Sequence, residues 1–261
     1  MRDLLNDLSE GLSHHDPIRR AQIQMKKPLP KRFYAEVAVA EHEGGFAITL
    51  DGKMVRTPAR QVLAVPTEAL AQLVAAEWRA QGEEIDPVIM PATRLVNTAL
   101  DGVATNAQAI FEDILRFSSS DLLCYRADGP ELLVERQRQR WDPVIDWVAN
   151  DLGARFILIE GVMHHEQPRE ATAAFAVTLA RHQSPMALAA LHTITTLTGS
   201  AILALAFAEG RLTVEEVWSL AHLDEDWTIE HWGRDEEAEE RRAKRFVEFK
   251  AAADVFFALS D

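Results

Sequence analysis

Apolar residues alternate with polar ones near the start of the chain. FYAEVAVAE, residues 33–41, reads as a strand, and GGFAITLDGKMVRTP, residues 44–58, sets Asp51-Gly52 between two extended runs. An Asp-Gly pair tolerates the positive φ that tight hairpin turns demand, so a hairpin is predicted there. VLAVP adds a further strand. The period then lengthens. TEALAQLVAAEWRAQG has Thr67 at the N-cap position and Gly82 just past the end, and Leu70, Leu73, Val74, Glu77 and Trp78 lie on or beside one helical face. That stripe lays the helix on the sheet and gives Trp78 a structural role. EEIDPVIMP, with two prolines, is predicted extended. The expected organisation is a tail and basic linker over residues 1–32, a small antiparallel β-rich domain with one packed helix over 33–91, and a larger all-α domain over 92–261. The fold class is α+β.

Beyond residue 91 the spacing is helical. TNAQAIFEDILRF, ELLVERQRQR, DPVIDWVANDLG and PREATAAFAVTLARH each carry it, with Thr, Asp or Pro at the starts. DLLCYRA and RFILIEG are short apolar runs, strands or buried turns alike. SPMALAALHTITTLTGSAILALAFAEG runs without a charge between Gln183 and Glu209. Its length suffices for a membrane span. Against that stand His192, four threonines, Gly199 and Ser200, and no flanking positive cluster. The reading is one buried central helix of a bundle, with His192 a hydrogen-bonded core residue. Thr213 and Glu216 form a capping box at the start of TVEEVWSLAHLDEDWTIEHW. Val214, Val217, Trp218, Leu220, Ala221 and Leu223 supply its inward positions. Trp232-Gly233 ends that helix, and RDEEAEERRAKRFVEFKAAADVFFAL begins another. Its Glu237–Arg241 and Glu240–Lys244 spacings suit ion pairs, and Phe246, Phe249, Ala253 and Phe256 continue a buried stripe.

Charge narrows the function. Net charge is -14 over 261 residues, with a pI near 5.1. That excess repels phosphate backbones and anionic lipid, so no nucleic-acid partner and no membrane insertion is expected. Cys124 is the sole cysteine and has no nearby histidine, which makes it a buried structural thiol and excludes a disulfide framework. MRDLLNDLSEGLSHHDP lacks the apolar core of a signal peptide, so a cytoplasmic location is expected. The run IRRAQIQMKKPLPKR reads as a solvated linker.

Residues 222–240, HLDEDWTIEHWGRDEEAEE, are the candidate for chemistry. His222, Asp226 and Glu230 fall on one helical line at i+4 steps. A metal- or carboxylate-dependent enzyme using that line is one reading, but such sites need ligands converging from several helices. No other helix offers a matching Glu-x-x-His or His-x-x-x-His, and His164-His165 falls in a loop. Phosphate-binding loops, dinucleotide fingerprints and nucleophile elbows are missing from the sequence. The alternative is a client-binding surface: an acidic ridge of Asp226, Asp235, Glu236, Glu237, Glu239 and Glu240 beside Trp227 and Trp232, with no catalytic residue, cofactor or metal. The residues alone leave the client open.

RFYAEVAV, LDGKMVRTP, LAVPTEALAQLVAAEWRAQGEEIDPVIMPATRLVNTALD and WGRDEEAEERR resemble the assembly chaperones for the alpha subunit of the F-type ATP synthase. The resemblance runs from about Arg32 into the last helix and leaves residues 1–31 outside. It implies a β-rich domain followed by a helical one. It also implies a protein, here expected to be a monomer, that holds the new alpha subunit through its nucleotide-binding domain until the beta subunit displaces it, without ATP hydrolysis. Eukaryotic relatives are expected in the mitochondrial matrix, and this chain in a bacterial cytoplasm. The resemblance puts an essential acid at Glu240, with Glu236, Glu237 and Glu239 as close neighbours. Trp78 matches a family tryptophan, and Asp224, Glu225, Asp226 and Trp227 are peripheral matches.

Overall fold

The computed structural model describes residues 28–161 and 165–260. The tail, most of the basic linker and His164 lie outside these residues. The chain divides into two compact units between Asp101 and Gly102.

In the first unit, strands β1 (Val37–His42), β2 (Gly45–Leu50), β3 (Lys53–Met54) and β4 (Ala64–Val65) form an antiparallel sheet. β2 is central: β1 pairs along one side of it, β3 and β4 along the other. Both hairpin turns place two successive residues at positive φ, Glu43-Gly44 (47° and 81°) and Asp51-Gly52 (47° and 76°). This is the turn whose twist matches that of paired strands. Gly45 has no room for a side chain, since a Cβ there would sit 2.6 Å from the Val65 carbonyl oxygen.

Helix α1 (Glu68–Arg79) starts at Thr67, whose hydroxyl accepts from the Leu70 N–H at 3.2 Å. It lays Leu70, Ala71, Val74 and Ala75 on β1 and β2. Complete burial of a Leu or Val side chain stabilises by roughly 1.5–3 kcal/mol, so this face anchors the helix. Trp78 is only half-buried. Its ring meets Tyr34 edge-on at 5.8 Å, and its carbonyl accepts from the Tyr34 hydroxyl at 2.7 Å.

The segment read as extended curls instead into a 3-10 turn, Pro87–Ile89. Asp86 makes the difference by accepting from the Val88 N–H at 2.9 Å. Helix α2 (Pro91–Thr98) follows with Met90 at its N-cap, which has no side-chain acceptor. Glu77 of α1 fills that role from a distance. Its carboxylate accepts from Ala92 N–H (2.8 Å), Thr93 N–H (2.7 Å) and the Thr93 hydroxyl (2.6 Å). Burial pushes the Glu77 pKa up, and these three bonds pull the other way.

The second unit is helical apart from one short parallel pair. Its elements are α3 (Ala104–Ser118), β5 (Tyr125–Arg126), α4 (Glu131–Asn150), β6 (Ile159–Glu160), α5 (Arg169–Leu179), α6 (Pro185–Thr198), α7 (Ala201–Ala208), α8 (Val214–Ala221), α9 (Leu223–Trp232) and α10 (Glu236–Phe257). The two ambiguous apolar runs thus supply β5 and β6. α4 is continuous through Pro143, and wholly buried Trp141 within it donates its indole N–H to the Leu220 carbonyl at 3.0 Å.

The uncharged stretch is two helices, not one. Gly199 adopts φ +70° and stops α6, and the Ser200 hydroxyl caps α7 by accepting from the Leu203 N–H at 3.0 Å. α6 packs against α3, α7 and α10, and Ala201 through Phe207 are at most 1% exposed, which explains the lack of polar residues. Among the described residues no helix is long and apolar enough to cross a membrane. His192 sits at the margin of this core with its Nε2 2.7 Å from an Asp113 carboxylate oxygen. Cys124 is wholly buried, and that burial, with Asp121 nearby, drives its thiol pKa far above the usual range.

Candidate functional site

The acidic stretch lies on three successive elements: α8, α9 and the start of α10. α8 opens with the expected capping box, Thr213 accepting from the Glu216 N–H and Glu216 from the Thr213 N–H. It does not run on to Trp232. His222 interrupts the helix at φ −112°, ψ 18°, with its Nδ1 2.8 Å from the Trp218 carbonyl and its ring 4.0 Å from that indole. The side chain is buried, and burial lowers its pKa, favouring the neutral ring.

α9 turns one side inward. Trp227 is 6% exposed, stacked on His231 at 4.1 Å, with the Arg136 guanidinium 4.8 Å from its ring centre. Arg136 also grips both Glu230 carboxylate oxygens, at 2.9 and 2.7 Å, and thereby lowers the Glu230 pKa. Asp224 accepts from the Gln137 amide at 2.8 Å. Asp226 meets Arg242 of α10 at 2.5 Å. Trp227 therefore packs α9 against α4 and is buried there instead of facing solvent.

The same geometry accounts for the His222, Asp226, Glu230 line. Arginines from other helices engage both carboxylates, and the histidine is turned to backbone. Among the described residues no group of three or more His, Cys, Asp or Glu side chains is placed to hold a metal ion. Arg136, Gln137 and Arg242 were not singled out by sequence. Arg136 and Gln137 lie in the cationic run of α4 and Arg242 in that of α10, and the direction of each side chain depends on how the helices pack.

The outward side is different. Trp232 is 78% exposed, held up where Gly233, at φ +91°, breaks the chain. Asp235 then caps α10, accepting from the N–H groups of Glu237 (2.9 Å) and Ala238 (3.2 Å). Glu237 pairs with Arg241 at 2.5 Å, Glu239 with Arg234 at 3.4 Å, and Glu240 with Lys244 at 2.7 Å. Lys244 lowers the Glu240 pKa, so that carboxylate is ionised at neutral pH. Glu236 is exposed and makes no ion pair among the described residues. The structure thus gathers Trp232, Asp235, Glu236, Glu237, Glu239 and Glu240 at one solvent-facing corner. Asp226 lies behind it in a half-buried pair. All the paired acids there belong to surface contacts that a partner's cations can exchange at small cost.

Known proteins share this sequence and fold. The family described as ATP12 chaperone protein matches residues 31–149. The mitochondrial protein atp12 of Schizosaccharomyces pombe is 26% identical over 233 residues, covering 85% of this chain and 80% of its own length. The crystal structure of the Atu1473 protein from Agrobacterium tumefaciens is 68% identical, with a TM-score of 0.89 over 100% of this chain and 97% of that one. Atp12 from Paracoccus denitrificans is 40% identical, with a TM-score of 0.82 over 88% of this chain and 98% of its own. Sequence and fold agree along nearly the whole of that solved Atp12, and the chain belongs to the ATP12 family of F1 ATP synthase assembly chaperones, which are not enzymes.

Proposed function

We propose that this chaperone holds the unassembled alpha subunit of the F-type ATP synthase through its nucleotide-binding domain, covers the surface later taken by the beta subunit, and is displaced as the ring closes, without hydrolysing ATP. One observation carries the reading: Trp232, 78% exposed, stands at the helix break that leads into the acidic start of α10. A large exposed aromatic with a polar surround is the composition of an interface hot spot.

The charge supports the same view. At -14 the chain attracts a neutral or basic partner before contact and discourages self-association. A ring subunit that has not met its neighbour exposes a sticky apolar face. Occupying that face by mass action lowers its free concentration and needs no fuel. A polar, exchangeable contact suits a temporary holder, because the final ring contact must outcompete it. In this reading the chaperone works as a monomer in the bacterial cytoplasm.

The test is capture of isolated alpha chains by wild-type protein, Glu240→Lys and Trp232→Ala. Both replacements lie at exposed positions, so thermal melts stay close to wild type while capture falls. Truncating a hot-spot aromatic typically lowers affinity about 30-fold. Equal capture by all three proteins contradicts the assignment of this corner.

A further inference from the structure

Strand β1 is an edge of the sheet, and among the described residues no strand pairs along its outer side. The parity of the ladder follows from its neighbour. Ile48 of β2 donates its N–H to Leu63 and accepts from the Val55 N–H, so both its backbone groups point away from β1. Val39 lies directly opposite Ile48 in register, and Glu41 opposite Phe46, two residues along. In an antiparallel pair such residues alternate with those that bond across, so Val39 and Glu41 turn their N–H and C=O groups outward. Val37 shares that direction, and its carbonyl already accepts from Arg79 Nε at 3.3 Å. Among the described residues no hydrogen bond meets the backbone groups of Val39 or Glu41.

Free edges are normally blunted by Lys, Pro or a bulge. β1 reads VAVAEH and pairs in unbroken register over six residues. It has no Lys, Pro or bulge; Glu41 is its one acid, Arg79 reaches only the Val37 carbonyl, and its first four residues are small or β-branched apolar ones. We infer that the outer edge of β1 is a docking site that takes an extended segment of the client protein as an added strand. This rests on the client reading above and adds a second, backbone-mediated contact to it.

Charge selects the occupant. Glu36, Glu41 and Glu43 are exposed beside this edge. A second copy would bring the same three carboxylates and a further net charge of -14 to this edge, and that long-range repulsion disfavours it. A client strand flanked by Lys or Arg meets them favourably. Main-chain bonds would supply the affinity, and the outward ladder fixes which amides take part.

The experiment is residue-resolved amide exchange on the full chain, alone and with isolated alpha chains of the F1 ATP synthase. Ala38 and Ala40 face β2 and serve as slow internal references. The amides of Val39 and Glu41 exchange fast in the free protein and slow by about tenfold or more in the complex. Val39→Pro removes an outward donor while leaving the β2 ladder intact, and lowers capture by about tenfold. Capture of alpha chains with unchanged exchange at Val39 and Glu41 overturns the inference and leaves the client reading standing. Protection that appears without client, together with a doubled mass in sedimentation, overturns the occupant in favour of a second copy. No capture at all overturns the client reading, and this occupant with it.

Discussion

Asp121 ties two elements of the helical unit together through a carboxylate shut off from solvent. The side chain is wholly buried. It accepts from the Ser200 hydroxyl at 2.7 Å, the Ile202 N–H at 2.9 Å and the Leu123 N–H at 3.1 Å. It therefore pins the start of α7 to the approach to β5. Asp121→Ala leaves three donors facing apolar neighbours. Each unmet buried donor costs about 1–3 kcal/mol, and partial relaxation brings the total to about 3–5 kcal/mol. For a unit of this size that lowers the melting temperature by roughly 6–20 °C. Asp121→Asn keeps the shape and one oxygen but turns an NH2 group toward other donors, and costs about 1–3 kcal/mol.

The pH dependence distinguishes burial from hydrogen bonding as the dominant influence. Burial pushes the Asp121 pKa up from 3.8 to about 6, against the pull of its donors. The folded protein then binds this proton more tightly than the unfolded chain does. Its stabilising contribution is complete below about pH 4 and declines as pH rises to about 6. A shift of about two units sets a ceiling near 3 kcal/mol on that decline. Asparagine does not titrate, so the stability gap between wild type and Asp121→Asn is widest near pH 4 and narrows toward pH 7. Urea titrations across this range measure it. A gap that stays flat, or widens with pH, refutes the reasoning and shows that the donors outweigh burial.

Two further outcomes follow from the same packing. Glu77→Ala strips α2 of its distant cap and orphans the N–H groups of Ala92 and Thr93, costing about 2 kcal/mol in a chemical melt. An unchanged midpoint there would show that water replaces the carboxylate. Gly199→Ala forces a side chain into φ +70° and destabilises by about 1–2 kcal/mol, and a neutral or stabilising result would mean that α6 and α7 can merge.

What the sequence revealed depended on whether the cause was local. The Asp51-Gly52 turn, the Thr67 cap and the Thr213–Glu216 box act within four residues, and each was legible. The break at Thr198-Gly199-Ser200 carried its own local signal, a glycine and a capping serine. It was masked because α7 is apolar on every side and no charge marks the end of α6, which blurs the helical period across the join. Glu77 stood within an apolar stripe, a hint of a buried carboxylate, but its partners Ala92 and Thr93 belong to another helix. The two tryptophans of the acidic stretch show the limit most clearly. Trp227 and Trp232 are five residues apart, so they point to different sides of one helical line. Only the packing of α4, through Arg136, decides that Trp227 is covered and Trp232 is not.

The central claim is temporary occupation of a neighbour's docking face. It is tested by forming the complex of this chaperone with alpha chains and adding beta chains in the presence of a non-hydrolysable nucleotide. The account predicts that alpha passes from the chaperone to beta as beta is added, with the chaperone recovered free and no nucleotide cleaved. Alpha that stays with the chaperone at excess beta, a stable complex of all three, or release that requires ATP hydrolysis would contradict it.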